Sequence, residues 1–115
     1  MKTLMALMLI FLFAFSAYAV DTFGIAVYPG AKEDSATTKF VNEQLKMAGS
    51  CFRTTDSLTK VVDFYSKQQG LTKVNVDKET AMFSKGKVNI TIQNPWMNMQ
   101  TGAMVSDTLI SFAKY

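Results

Sequence analysis

The first 19 residues carry the pattern of a cleavable export signal, and this pattern limits how much chain is left to fold. Lys2 supplies the positive start, residues 4–15 are an apolar run too short to span a bilayer comfortably, and Ala17-Tyr18-Ala19 offers the small residues that signal peptidase requires. Cleavage there leaves 96 of the 115 residues, enough for one small domain with a single core. The sequence therefore predicts a signal peptide over residues 1–19 and a single domain over residues 20–115, located in the periplasm or secreted.

The charges of the remaining chain are few and are spread without blocks. Once Lys2 is removed, eleven Lys and Arg residues stand against nine Asp and Glu residues, and Arg53 is the only arginine. A nucleic-acid surface needs clustered Lys and Arg, so we predict no nucleic-acid partner. After cleavage no segment is apolar enough to span a membrane, so we also predict no membrane span.

Cys51 is the only cysteine, and an oxidising compartment leaves three roles open to it. The thiol can be buried and inert, can react, or can join two chains, so the protein is predicted to be a monomer or a Cys51-linked dimer. The neighbours in Ser50–Thr54 have the pattern of a short strand, which favours burial. The chain has no His, and we identify no paired general acid and base and no glycine-rich phosphate loop. We therefore predict no enzymatic activity and no cofactor.

The first half of the mature chain is predicted to alternate short strands with helices. Phe23–Val27 is apolar and partly β-branched and runs into a Pro-Gly turn signal, which predicts a first strand. Ser35–Ala48 repeats apolar residues at helical spacing, which predicts a helix capped by Ser35 or Thr37. Cys51–Thr54 is predicted to follow as a second strand.

The strongest helical pattern begins just after Thr55-Asp56-Ser57, where a capping residue precedes a buried stripe. Apolar side chains recur there at the i, i+3, i+4 and i+7 positions, namely Leu58, Val61, Val62 and Tyr65. Gly70 stands where a cap in the left-handed conformation belongs. This pattern predicts a helix over Ser57–Gln69, with Asp56 serving as a helix cap rather than as an acid.

After Gly70 the apolar period changes from helical spacing to two. Three runs alternate in this way, around Val74, over Ala81–Phe83 and over residues 88–92, and they predict an antiparallel meander. Residues 108–113 fit both a strand and a helix face, and their Thr, Ile and Phe favour a strand that pairs with the Val88 strand. One polar and one apolar sheet face imply that helices cover one side only. The predicted fold is α+β, an antiparallel sheet of about five strands with two helices packed on one face.

Several of these segments together resemble a pattern found in small exported bacterial proteins and lipoproteins. The matching runs are Val27-Tyr28-Pro29-Gly30-Ala31, Phe52-Arg53-Thr54-Thr55-Asp56-Ser57 and Val61-Val62-Asp63-Phe64-Tyr65. A narrower subgroup is similar in Ile92-Gln93-Asn94-Pro95-Trp96-Met97 and in Asp107–Ser111. The resemblance implies export and an α+β fold and carries no activity. Envelope-assembly lipoprotein domains have similar strand, helix and meander layouts, which implies an interaction role by analogy.

Residues 94–104 carry large apolar side chains although the segment is not predicted to be a strand that would bury them. The only Trp of the chain, Trp96, lies there with Met97, Met99 and Met104, in a run that Asn, Pro and Gly mark as a loop. Three interpretations are open: these side chains pack over the end of the core, they form an exposed patch for a partner, or they bind a metal. Thioethers suit Cu(I), and an aromatic face can lie against a cation.

The sequence as a whole therefore predicts an exported, non-catalytic binding protein of the bacterial cell envelope. The predicted contact residues are Trp96, Met97, Met99 and Met104, and the predicted partner is an envelope protein or an apolar ligand. The alternative prediction is a soft-metal carrier in which the same three methionines bind Cu(I) or Ag(I) beside Trp96. Copper chaperones with a similar Trp and Met cluster also use a His, which this chain lacks.

Overall fold

The computed structural model describes residues 21–115, so the predicted export signal lies outside the described residues. These residues form an α+β fold with a six-stranded antiparallel sheet, two helices and two small hairpins. The elements in chain order are β1 (Asp21–Thr22), β2 (Ile25–Ala26), β3 (Lys32–Glu33), α1 (Ser35–Glu43), β4 (Ala48–Thr54), α2 (Leu58–Ser66), β5 (Thr72–Val76), β6 (Thr80–Lys85), β7 (Val88–Gln93), β8 (Trp96–Met97), β9 (Met104–Val105) and β10 (Thr108–Lys114). The α+β class is confirmed.

The main sheet has the strand order β3, β4, β10, β7, β6, β5. The sheet has one strand more than the predicted number of about five. The additional strand is β3, an edge strand of two residues that is too short to show a sequence period. The predicted meander of β5, β6 and β7 is confirmed. The tail is a strand, as predicted, and it pairs with β7 through Lys114 and Val88. It also pairs with β4, so the end of the chain lies in the middle of the sheet.

Helix α2 follows its sequence pattern closely. The Ser57 side chain accepts a hydrogen bond from the Lys60 backbone N–H at 3.3 Å and caps the helix. Of the predicted stripe, Leu58, Val61 and Tyr65 are buried, and Val62 is only partly buried. The helix ends at Ser66, three residues before the predicted end, and Gly70 adopts the expected left-handed conformation with φ +84°.

Helix α1 starts where predicted but ends early. Its cap is Asp34, whose carboxylate accepts from the Thr37 backbone N–H at 3.1 Å, so the predicted cap at Ser35 or Thr37 is wrong. The helix ends at Glu43, and Ala48 already belongs to β4. The reason lies in the Asn42 side chain, which bonds both backbone groups of Gly49 (2.8 Å from its N–H and 3.3 Å to its C=O). These bonds fix the reversal of the chain into β4.

The N-terminal segment differs from the single strand predicted over Phe23–Val27. It is the β1–β2 hairpin, in which Phe23 and Gly24 occupy the turn with φ 56° and φ 78°. Two successive residues with positive φ are what a tight two-residue hairpin turn requires. The prediction overlooked this turn because Phe23 is an unusual residue at such a position.

The two helices lie on opposite faces of the sheet, and the prediction that both pack on one face is wrong. Neighbouring residues of a strand point to opposite faces, and in β4 Phe52 joins the cluster that contains the α2 stripe, whereas Cys51 joins a second cluster that contains Val41 of α1. The alternation of β7 suggested one polar face. The central strands β4 and β10 instead bury side chains on both faces.

Gly49 provides the space for α1 on its face of the sheet. A Cβ atom at this position would lie 2.8 Å from Val41 Cγ1 and 3.0 Å from the Phe112 carbonyl oxygen. We expect Gly49→Ala to lower the unfolding free energy by about 1–3 kcal/mol through overpacking. Val41→Ala in the same chain should restore part of that loss, which a double-mutant cycle from urea unfolding would measure. Strictly additive effects of the two substitutions would contradict the contact.

A hydrogen bond between Tyr28 and Asp56 makes the unfolding free energy depend on pH in the alkaline range. The Tyr28 hydroxyl donates to Asp56 Oδ2 at 2.6 Å, and this bond, with burial, raises the pKa of Tyr28 from 10.0 to about 12. The predicted role of Asp56 as a helix cap is wrong, because its carboxylate accepts from Tyr28 and the cap is Ser57. Because the folded-state pKa lies above the unfolded one, the contribution to stability is fully present below pH 10.0 and is lost as the pH rises through about 12.

We expect the wild-type chain to have a higher unfolding free energy than Tyr28→Phe at pH 10.0, and this difference should shrink steadily as the pH rises to about 12. Urea unfolding of both proteins across this range would measure the difference, and the titration of all other groups cancels between them. An advantage that stays constant with pH would show that the hydrogen bond to Asp56 does not depend on the tyrosine proton.

Candidate functional site

Residues 94–107 connect β7 to β10, and hydrogen bonds through Thr108, the first residue of β10, hold the start of this connection. Asn94 Nδ2 donates to the Thr108 hydroxyl at 2.8 Å, and that hydroxyl donates to the Asp56 carbonyl oxygen at 2.6 Å. Thr108 is fully buried and is satisfied by these two bonds. The segment predicted as a loop contains the β8–β9 hairpin, whose end is closed by the Asn98 N–H bond to the Ala103 carbonyl oxygen at 2.8 Å.

Trp96 lies in the core and not on the surface. Its side chain is 2% exposed, belongs to the cluster with Cys51 and Leu109, and donates its Nε1–H to Asp107 Oδ1 at 2.8 Å. The Arg53 guanidinium carbon lies 5.3 Å from the centre of the ring. Trp96 is therefore a buried anchor of the hairpin, and a cation already occupies a position over its ring.

Arg53 links the base of the hairpin to the start of α1. It donates from Nε to Asp107 Oδ2 at 2.9 Å and forms a 3.4 Å ion pair with Asp34, the cap of α1. The hydrogen bond to Asp107 is the main cause that raises the pKa of Arg53, so the guanidinium stays charged. These contacts hold Trp96 and α1 in a fixed relation on the same face of the sheet.

The three methionines of the predicted site are exposed. Met97, Met99 and Met104 are 52%, 65% and 59% exposed, respectively. Met97 pairs with Met104 across the β8–β9 hairpin, whereas Trp96 pairs with Val105. Because successive residues of a strand point to opposite faces, the structure places Met97 and Met104 together and Trp96 on the buried side.

Between α1 and the hairpin lies a groove of about 330 Å³ over the strands β7 and β10. A ligand site of this size is at the lower end of the usual range for small molecules. The groove is lined by sixteen residues, none of them charged: Thr37, Phe40, Val41, Leu45, Met47, Thr91, Gln93, Trp96, Met97, Asn98, Met99, Gln100, Leu109, Ser111, Phe112 and Ala113.

The rim of this groove carries large apolar side chains that face solvent. Four of them are Leu45, Met47, Met97 and Met99, two from each side of the groove. The sequence identified the methionines of the hairpin, but it placed Leu45 within the helix predicted over Ser35–Ala48, on the face where apolar residues repeat, and it did not single out Met47. Helix α1 ends before both residues, so neither packs as a helical core residue.

Cys51 is a buried thiol on the groove face of the sheet, beneath α1. It has no exposed surface, its sulfur donates to Ser111 Oγ at 3.6 Å, and burial raises the pKa of the thiol. The prediction of a buried cysteine is confirmed. The Cys51-linked dimer does not fit this fold, because a second chain cannot reach the sulfur without local unfolding.

Within residues 21–115, no group of three or more His, Cys, Asp or Glu side chains is placed to hold a metal ion. Neither helix of that part of the chain is both long and apolar enough to cross a membrane. No family model, curated protein or solved structure matches the chain. The geometry of the groove is therefore the basis for the functional proposal.

Proposed function

We propose that this chain is an exported, non-catalytic binding protein of the bacterial cell envelope, periplasmic or secreted. Its contact surface is the groove between α1 and the β8–β9 hairpin, with the exposed side chains of Met97, Met99 and Met104 beside it. The observation that carries this proposal is an uncharged groove bordered by exposed apolar side chains on both sides. Exposed apolar side chains gathered around one concave surface are typical of binding sites.

The chemistry of the groove favours a polypeptide segment with uncharged, apolar side chains. The apolar walls are accompanied by hydrogen-bonding side chains, including Thr91 and Gln93. An acyl chain would bury these groups without partners, which costs free energy, whereas a peptide backbone supplies N–H and C=O groups to them. Methionine side chains adapt their shape to different apolar partners, so the rim suits a family of related segments.

Trp96 gives this proposal a direct optical test. It is the only tryptophan of the chain and lines the groove, so its fluorescence reports on an occupant. Short uncharged apolar peptides would be titrated into the purified protein, alongside the same peptides carrying alternate Asp residues and alongside palmitate. We expect saturable changes in emission with the uncharged peptides only.

Two groove variants and one matched control make the test specific. Leu45→Glu and Met99→Glu place a charge at exposed positions on opposite sides of the groove, and each should weaken peptide binding about tenfold or more. Val74→Glu places the same charge at a similarly exposed apolar position on the edge strand β5, away from the groove, and should leave binding unchanged. A preference for palmitate, or equal effects of all three variants, would overturn the proposal.

A soft-metal site is the second candidate function, and one observation favours it. Met97 and Met104 are direct cross-strand partners with exposed side chains, so their thioethers can approach one ion, and Met99 lies in the same hairpin. Trp96 is not part of this site, because its ring is buried beside Arg53. Native mass spectrometry with Cu(I) or Ag(I) should show one bound ion that Met97→Leu and Met104→Leu remove, with Met47→Leu as the control. Binding that survives both changes would exclude the Met97 and Met104 pair as the site.

A further inference from the structure

The outer edge of β5 is open. Within residues 21–115, β5 pairs with β6 on one side and with no strand on the other, and all five of its residues are exposed. Val74 and Val76 are 55% and 42% exposed, although β-branched residues usually pack in a sheet. The opposite edge of the sheet, β3, has only two residues. Strand β5 is therefore the one long edge at which another strand can join the described sheet.

Two copies of this edge segment are complementary in charge and side-chain type when they are paired antiparallel. From residue 73 of β5 to residue 77, which directly follows the strand, the segment is Lys-Val-Asn-Val-Asp. A two-fold axis through Asn75 sets Lys73 opposite the partner's Asp77 and Val74 opposite the partner's Val76. The same symmetry repeats both pairs, so one interface contains two opposite-charge pairs and two valine pairs around a central asparagine pair.

We propose that two copies of this chain associate through their β5 edges in this register and so join their sheets into one. Shifting the axis by one residue to Val74 would set Lys73 opposite the partner's Asn75 and would lose both ion pairs. The charge pattern thus selects the register and selects a second copy of this chain as the partner. The interface is separate from the groove, which lies over β7 and β10.

Local hydrogen bonds hold Asp77, the acidic end of the segment, in position. The Asp77 backbone N–H donates to the Thr80 carbonyl oxygen at 2.7 Å, and its carboxylate accepts from Asn75 Nδ2 at 3.2 Å. The pairing of β5 with β6 shifts register between Lys73 and Asn75, which increases the local twist. A short and twisted edge limits the paired length, so the dimer should be weak and should form at high protein concentration.

Charge exchange tests this interface. Sedimentation equilibrium over a concentration series should show a monomer and dimer equilibrium for the wild-type chain. Lys73→Asp sets one acid opposite Asp77 of the partner copy in each of the two pairs, and Asp77→Lys sets two lysines opposite each other in each pair, so each variant should dimerise at least about tenfold more weakly. An equimolar mixture of the two variants should form a heterodimer, and the double variant should regain the homodimer.

Two control variants distinguish the test of the β5 dimer from the test of peptide binding in the groove. Lys39→Asp makes the same charge change on α1 and should not alter dimerisation, and Met99→Glu should impair peptide binding while leaving the dimer intact. A wild-type chain that stays monomeric throughout the series would overturn the β5 proposal and leave the groove proposal untouched. Loss of the dimer in Met99→Glu, or failure of the mixed variants to associate, would also overturn it.

Discussion

Replacing Trp96 by alanine should lower the unfolding free energy by about 3–5 kcal/mol, the range for removing a large buried aromatic side chain. The ring is 2% exposed and packs with Cys51 and Leu109, so its removal leaves a cavity on the α1 face. The substitution also removes the indole N–H that donates to Asp107 Oδ1 and the ring over which the Arg53 guanidinium lies. Since the total unfolding free energy of a small domain is about 5–15 kcal/mol, the loss should appear as a large fall in the urea midpoint, measured by circular dichroism.

Met97 offers a matched control one residue along the same strand. Its side chain is exposed, so Met97→Ala should change the unfolding free energy by no more than about 0.5 kcal/mol. Trp96→Phe should lie between the two, because it keeps much of the buried area and loses the Nε1 hydrogen bond to Asp107. Similar losses for Trp96→Ala and Met97→Ala would contradict the burial of the indole ring.

Tyr65→Ala should destabilise the other face of the sheet by a similar amount, about 3–5 kcal/mol. Tyr65 is fully buried among aromatic rings, with ring centres at 5.0 Å from Phe64, 6.1 Å from Phe83 and 6.3 Å from Phe112. Its removal would take away the largest side chain of the α2 stripe. Urea unfolding would measure the loss.

Tyr65→Phe separates the ring from its hydroxyl group. The hydroxyl accepts from the Tyr28 backbone N–H at 3.0 Å and donates to the Ala26 carbonyl oxygen at 2.9 Å. Without it both backbone groups lose their partner, which should cost about 1–3 kcal/mol while the aromatic packing survives. Amide exchange at Tyr28 should accelerate more than exchange in β10. Unchanged stability and exchange in Tyr65→Phe would show that this hydroxyl does not attach the N-terminal segment to α2.

Local sequence pattern was sufficient for α2, the meander and the tail strand. In α2 the run of capping residues Thr55-Asp56-Ser57, an i, i+3, i+4, i+7 stripe and a glycine all indicate the same element, although the cap is Ser57 and not Asp56. Pattern was insufficient for the end of α1, where helical spacing continues through Leu45 to Ala48. There the side chain of Asn42 makes two hydrogen bonds to the backbone of Gly49, and these bonds turn the chain into β4 before the apolar period ends.

The candidate site shows the same division. Composition drew attention to residues 94–104, because one tryptophan and three methionines stood in a segment marked as a loop. The roles within it depend on hairpin pairing, which buries Trp96 opposite Val105 and exposes Met97 opposite Met104. The other side of the groove, with Leu45 and Met47, is far away in sequence, and no local pattern connects the two.

By itself, the sequence determined the elements whose stabilising contacts are short in range, such as helix caps, apolar stripes and alternating strands. It also determined the self-complementary charge order of residues 73–77, since that order is a property of five consecutive residues. Only the tertiary structure decided that β10 lies between β4 and β7, that both sheet faces are buried at the centre, and that α1 meets the hairpin across a groove. These features depend on contacts between residues far apart in the chain, which a periodic pattern does not encode.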